Sequence, residues 1–110
     1  IGTSGAKVAD DLKAKGQITG EIKTYDNITI AFQELVTGNV QAVINDIPVS
    51  QAFIARYPGK IAFAGQPLNS EKYGFAVATG NTALREKLNR GLATVKANGT
   101  YQAIHERYFK

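Results

Sequence analysis

Short β-branched runs alternate with segments of helical periodicity along this chain, and that alternation leaves few folds open. Residues 21–25, 40–44, 61–64 and 73–78 have strand character. A first helix is expected over residues 6–15, with Val8 and Leu12 on one face and Gly16 ending it. A second spans 28–37, where Ile28, Ala31, Phe32 and Leu35 share a face, Asp26 or Asn27 offers an N-cap, and Gly38 closes the helix. Pro48 stands near the first position of a third helix, which runs to about residue 57 before the turn Pro58-Gly59. A longer helix begins at Asn81 or Thr82, carries Leu84, Leu88, Leu92 and Val95 on one stripe, and breaks at Asn98-Gly99. A last helix holds Tyr101, Ile104, His105 and Tyr108. Helices between short apolar strands predict an α/β fold with a mainly parallel sheet, because parallel neighbours need crossover connections.

The rhythm pauses once, at residues 66–72, and a boundary is expected there, with 1–70 on one side and 71–110 on the other. The length of 110 residues suits a single domain with a real core. Nothing in it approaches the ~20 apolar residues that span a bilayer. Ile1 opens the sequence where Met would be usual, and no basic start with an apolar middle follows. The expectation is a processed chain or a fragment of a longer protein.

Absences narrow the chemistry. With no Cys there is no disulfide framework, thiolate zinc site or cysteine nucleophile. His105 is the single histidine, so no metal site and no cofactor are expected. Neither GxxxxGK[ST] nor GxGxxG occurs, which disfavours nucleotides. The net charge of +4 is scattered. The denser tail is interrupted by Glu86 and Glu106, so no nucleic-acid partner is expected. Catalysis needs a placed acid or base, and the only notable candidates, Asp46 and His105, fall far apart. No catalytic residue is assigned, and the chain is not expected to be an enzyme.

Two segments have binding chemistry. Gly2-Thr3-Ser4-Gly5 leads into a helix, where amides without helical partners favour an anion and the hydroxyls of Thr3 and Ser4 add donors. Thr3 or Ser4 as an ordinary cap explains the same residues, so both readings stay open. Asn45-Asp46 follows the run at 40–44, at the carboxyl end of a strand, where ligands gather in open α/β sheets. Asp46 suits an ammonium and Asn45 offers donor and acceptor, although Asp46 as a helix cap is an equal alternative. Together the two segments match a zwitterionic α-amino acid, which has a carboxylate and an ammonium on one carbon.

These same residues carry a family likeness. Gly2-Thr3-Ser4-Gly5, Tyr25-Asp26-Asn27 before Ala31-Phe32-Gln33-Glu34-Leu35, and the run from Gly38 through Asn45-Asp46 resemble the polar amino-acid-binding periplasmic proteins of ABC importers. So do Tyr73-Gly74, Asn98-Gly99-Thr100-Tyr101 and Tyr108-Phe109. The shared order and spacing carry the likeness, and glutamine-binding proteins are the nearest group. The resemblance implies two lobes closing on a ligand, of which this chain is a partial second lobe followed by C-terminal helices that pack on the first. Thr3, Ser4 and the amide of Gly5 would hold the α-carboxylate, Asp46 the α-ammonium, and Asn45 would face the side chain. Tyr73 and Gly74 would form a hinge.

It implies a polar amino acid as ligand, glutamine first and glutamate, arginine or histidine as alternatives, with a membrane permease as partner. The compartment would be periplasmic or extracellular, or a lipid-anchored cell surface. The same fold also serves as the sensor domain of a membrane receptor or kinase, which is the alternative function. The family's first lobe, with its aromatic clamp and carboxylate-binding arginine, has no counterpart here. The expectation is weak or undetectable amino-acid binding by the chain alone, and self-association or exchange of elements through the bare stripe at Leu84, Leu88, Leu92 and Val95.

Overall fold

A computed structural model describes residues 1–109. Two compact units divide the chain, Ile1–Leu68 and Asn69–Lys110. The first contains α1 (Ser4–Ala14), α2 (Ile28–Thr37) and α3 (Ile47–Arg56); the second contains α4 (Thr82–Ala97) and α5 (Thr100–Tyr108).

The helix boundaries follow local chemistry. Asn27 caps α2, its side-chain oxygen accepting the Ile30 amide at 3.1 Å, and Asn81 caps α4 in the same way through Leu84 at 3.2 Å. Each bond satisfies an amide that has no acceptor within its helix. Gly38 ends α2 in the left-handed conformation at φ 84°, a backbone that other residues adopt only with strain. Its neighbour Asn39 donates back to the Glu34 carbonyl at 2.9 Å, closing the helix end.

In the first unit a small core gathers Ala9 of α1, Ala31 and Phe32 of α2, and Ser50 of α3. Phe32, only 4% exposed, stacks on Phe53 with ring centroids 4.2 Å apart and planes within 9° of parallel. That stack fastens α2 to α3. In the second unit α4 packs against α5, and neither helix has a buried residue.

The expected sheet is a correction. No strand ladder forms among the described residues, and residues 21–25, 40–44, 61–64 and 73–78 belong to no regular element. The mainly parallel sheet is therefore not shown among the described residues. The reason lies in what a strand requires: its N–H and C=O groups are satisfied only by a neighbouring strand, whereas a helix satisfies its own. Backbone bonds outside the helices join residues close in sequence, as turns and caps. Among the described residues the Ile1 nitrogen donates to the Tyr25 carbonyl at 3.0 Å, and Lys23 Nζ donates to the Asn39 carbonyl at 3.5 Å. β-Branched composition fits a residue to a pleated surface but supplies no partner for it.

Candidate functional site

The first turn of α1 begins at Thr3, whose extended backbone (φ −100°, ψ 161°) turns the chain into the helix. Its hydroxyl oxygen accepts the Ala6 amide at 3.2 Å, and its carbonyl accepts the Lys7 amide at 3.3 Å. Thr3 is thus a helix cap, as the plainer sequence reading had it. Those two bonds leave the amides of Ser4 and Gly5 outside the helix's own ladder, at the positive end of its dipole.

Asp46 stands at the N-cap of α3 and its carbonyl accepts the Ser50 amide at 2.9 Å. Its carboxylate makes no capping bond to that helix. The capping alternative for this side chain is therefore not what the structure shows, and Pro48 in the first turn lacks an amide to cap. Asp46 and Asn45 are both half-buried. The Asn45 Nδ2 lies 3.5 Å from the Asp46 carbonyl and 3.5 Å from the Ser50 hydroxyl.

One contact joins these segments. A Cβ built on Gly5 would lie 3.0 Å from the carbonyl oxygen of Ile44, tighter than most such contacts, so the backbone there would have to give way slightly. Glycine at position 5 lets the first turn of α1 rest against the residue just before Asn45-Asp46. The fold thereby brings Gly5, at the start of α1, to the backbone of Ile44, the residue before Asn45-Asp46. The first segment has amide donors and a helix dipole, and the second has a carboxylate and a carboxamide. Such a pairing can take a carboxylate and an ammonium at once.

Tyr73 and Gly74 fall in the second unit, ahead of α4, with Tyr73 66% exposed. Ser50 is a buried neighbour of Asn45 that the sequence does not mark. A serine within the α3 run Ile47–Arg56 reads as an ordinary helix residue, and only the fold shows it buried beside Asn45. His105 lies on α5, stacked on Phe109 at 4.7 Å between ring centroids. Among the described residues no cluster of three or more His, Cys, Asp or Glu could hold a metal ion. No helix is long and apolar enough to cross a membrane.

Comparison with known proteins adds the lineage. The ABC transporter arginine-binding protein 1 of Escherichia coli is 36% identical over 96 residues, covering 81% of this chain and 39% of that protein. The L-cystine-binding protein TcyJ of the same species is 26% identical over 119 residues, 94% of this chain and 45% of that protein. A probable histidine-binding protein of Neisseria gonorrhoeae is 30% identical over 99 residues, 88% of this chain and 37% of that protein. The chain spans less than half the length of each of these relatives. Their names give arginine, cystine and histidine as ligands, and the glutamine expected first from the resemblance has no support among them. No solved structure matches. Since residues 5–110 match throughout, the chain belongs to the bacterial extracellular solute-binding proteins, family 3, whose relatives here are transport components and not enzymes.

Proposed function

We propose that this chain forms one wall of a binding site for a polar L-amino acid, in the substrate-binding component of an ABC importer. The amides of Ser4 and Gly5, with the hydroxyls of Thr3 and Ser4 around them, receive the α-carboxylate. Asp46 receives the α-ammonium, and Asn45 meets the side chain. A second wall closes over the ligand, with Tyr73 and Gly74 near the hinge, and the closed form is what a membrane permease recognises. The four β-branched segments are the strand material of the α/β lobe that such a component has.

The observation that supports this reading is the closeness of Gly5 to the Ile44 backbone, where an added Cβ would lie 3.0 Å from the carbonyl oxygen, two residues before Asp46. The relatives named for arginine, cystine and histidine support the ligand class. The spacing between the walls also sets the affinity. With one wall only, each charged contact competes with bulk water, where an exposed ion pair contributes little. The expected dissociation constant for the chain alone is therefore about 1 mM or weaker, a free energy of about −4 kcal/mol.

Titration of the chain with L-arginine, L-histidine and L-glutamine, followed by backbone-amide NMR with the D-enantiomers as controls, tests the reading. L-specific shifts at residues 3–6 and at Asp46, lost in Asp46→Asn, are the expected result. Micromolar affinity would overturn the one-wall description. Shifts equal for both enantiomers, or untouched by Asp46→Asn, would overturn the site.

A further inference from the structure

We infer that Asn98 is a self-modifying site, whose side-chain amide cyclises onto the Gly99 backbone, is lost as ammonia, and leaves aspartate or isoaspartate at the joint between α4 and α5, uncoupling the two helices. The inference is independent of the amino-acid site proposed above.

Of the seven asparagines in the chain, Asn98 alone precedes a glycine. Asn27, Asn39 and Asn81 precede the β-branched Ile28, Val40 and Thr82, whose side chains crowd the amide that would have to attack. Asn27 and Asn81 are also held as helix caps, and Asn89 lies within α4. Gly99 presents no such obstruction. A Cβ built on it would meet nothing within 4 Å, and Asn98, Gly99 and Thr100 are all exposed to water. The amides on either side are engaged. Asn98 donates to the Thr94 carbonyl at 3.0 Å, and Thr100 donates to Asn98 Oδ1 at 3.0 Å. Among the described residues the Gly99 N–H has no acceptor. The Thr100 bond folds the Asn98 carboxamide forward over the Gly99 peptide, with the reactive carbon on the same side as that free nitrogen.

The reaction needs only water. Hydroxide takes the Gly99 amide proton, and the nitrogen adds to Asn98 Cγ to close a five-membered ring. The bond from Cγ to the side-chain nitrogen then breaks. That nitrogen takes a proton from water, regenerating hydroxide, and departs as ammonia. A water molecule opens the cyclic imide at one of its two carbonyls. Opening at Cγ gives aspartate, and opening at the main-chain carbon gives isoaspartate. Ring closure requires a turn about the Asn98 Cα–C bond from its ψ of 4°, which the following glycine leaves sterically free.

The product matters because of where it forms. Only Asn98 and Gly99 lie between the end of α4 at Ala97 and the start of α5 at Thr100. The two helices pack against each other, and Lys96 Nζ sits over the Tyr101 ring across the joint, 5.2 Å from its centroid. Isoaspartate routes the main chain through the former side chain and lengthens this joint by one methylene. Either product also places a negative charge at the C-terminal end of α4, where the helix dipole is itself negative.

The test ages the unmodified chain in mildly alkaline oxygen-18 water beside Asn98→Gln and Asn98→Asp. Tandem mass spectrometry follows each asparagine, and amide hydrogen exchange follows the helices. Asn98 is expected to convert first, ahead of Asn69 before Ser70, taking up one heavy oxygen and giving both acid forms. In the converted chain, protection of residues 100–108 should fall by about fivefold, the scale of one lost helix-end interaction, while residues 1–68 keep theirs. Asn98→Gln, which would have to close a less favoured six-membered ring, should keep its amide and its protection. Asn98→Asp carries the charge without the longer joint and should lose less protection than the aged chain. Conversion of another asparagine before Asn98, or equally fast loss of the amide in Asn98→Gln, would overturn the site. Conversion of Asn98 with residues 100–108 still fully protected would overturn the uncoupling.

Discussion

The two units use the same helical grammar and end in different states. In Ile1–Leu68 Phe32 of α2 stacks on Phe53 of α3, and four side chains are buried. In Asn69–Lys110 the stripe at Leu84, Leu88, Leu92 and Val95 lines an open groove of about 450 Å³ with Phe75, itself 75% exposed. Charge divides the same way. Residues 1–68 carry six basic and six acidic side chains, whereas residues 69–110 carry seven and three, the whole net charge of the chain. An amphipathic pattern thus specifies a face that must be covered and says nothing of what covers it. The unit that closes on itself is the one that holds the candidate site.

Truncating the core should separate the units most sharply. Phe32→Ala removes a nearly fully buried ring and is expected to destabilise the first unit by about 3–5 kcal/mol. Leu92→Ala, at a half-buried position on the open groove, should change the second by about 1 kcal/mol or less. Amide hydrogen exchange, read unit by unit, checks both. Comparable losses in the two would break the contrast.

The open stripe has a consequence in solution. Sedimentation of the chain is expected to depend on concentration, and Leu84→Lys, at a residue 41% exposed, should reduce that dependence. A clean monomer at high concentration would contradict it. The two asparagine caps sharpen the comparison, because their capping bonds are nearly equal, 3.1 and 3.2 Å. Asn27→Ala and Asn81→Ala should each cost about 1 kcal/mol of local helix stability. In the first unit that loss should spread to α3 through the Phe32–Phe53 stack, and in the second it should stay as fraying of α4. Exchange rates along α3 and α5 distinguish the two.

The smallest effect concerns Tyr25, whose hydroxyl oxygen is buried without a hydrogen-bond partner. Tyr25→Phe removes that orphaned group and is expected to leave stability unchanged or raise it by up to about 1 kcal/mol in a denaturant titration. A loss larger than that would mean the hydroxyl is engaged.

The helices were legible because their determinants are local. Asn27, Gly38, Asn81 and the spacing of Ile28, Ala31, Phe32 and Leu35 lie within a turn or two of what they control. The sheet was not, because residues 40–44 show β-branched character but strand pairing depends on neighbours outside the run. The site was legible as two segments. Gly2-Thr3-Ser4-Gly5 and Asn45-Asp46 have recognisable chemistry, and the cap role of Thr3 follows from its position. Their meeting rests on a missing Cβ at Gly5, which in sequence is one of eleven glycines. Ser50 was invisible for the complementary reason: nothing in its helix marks it as buried next to Asn45.

The proposed binding site depends on that meeting of Gly5 with the residues before α3. The direct measurement is a nuclear Overhauser spectrum of the ligand-free chain, read between the Gly5 α-protons and the Asn45 amide proton. Cross-peaks there, weakened in Gly5→Val with both helices intact, are the expected result. Two well-formed helices with no cross-peak between Gly5 and residues 44–46 would contradict it, leaving two unrelated helix starts and no site.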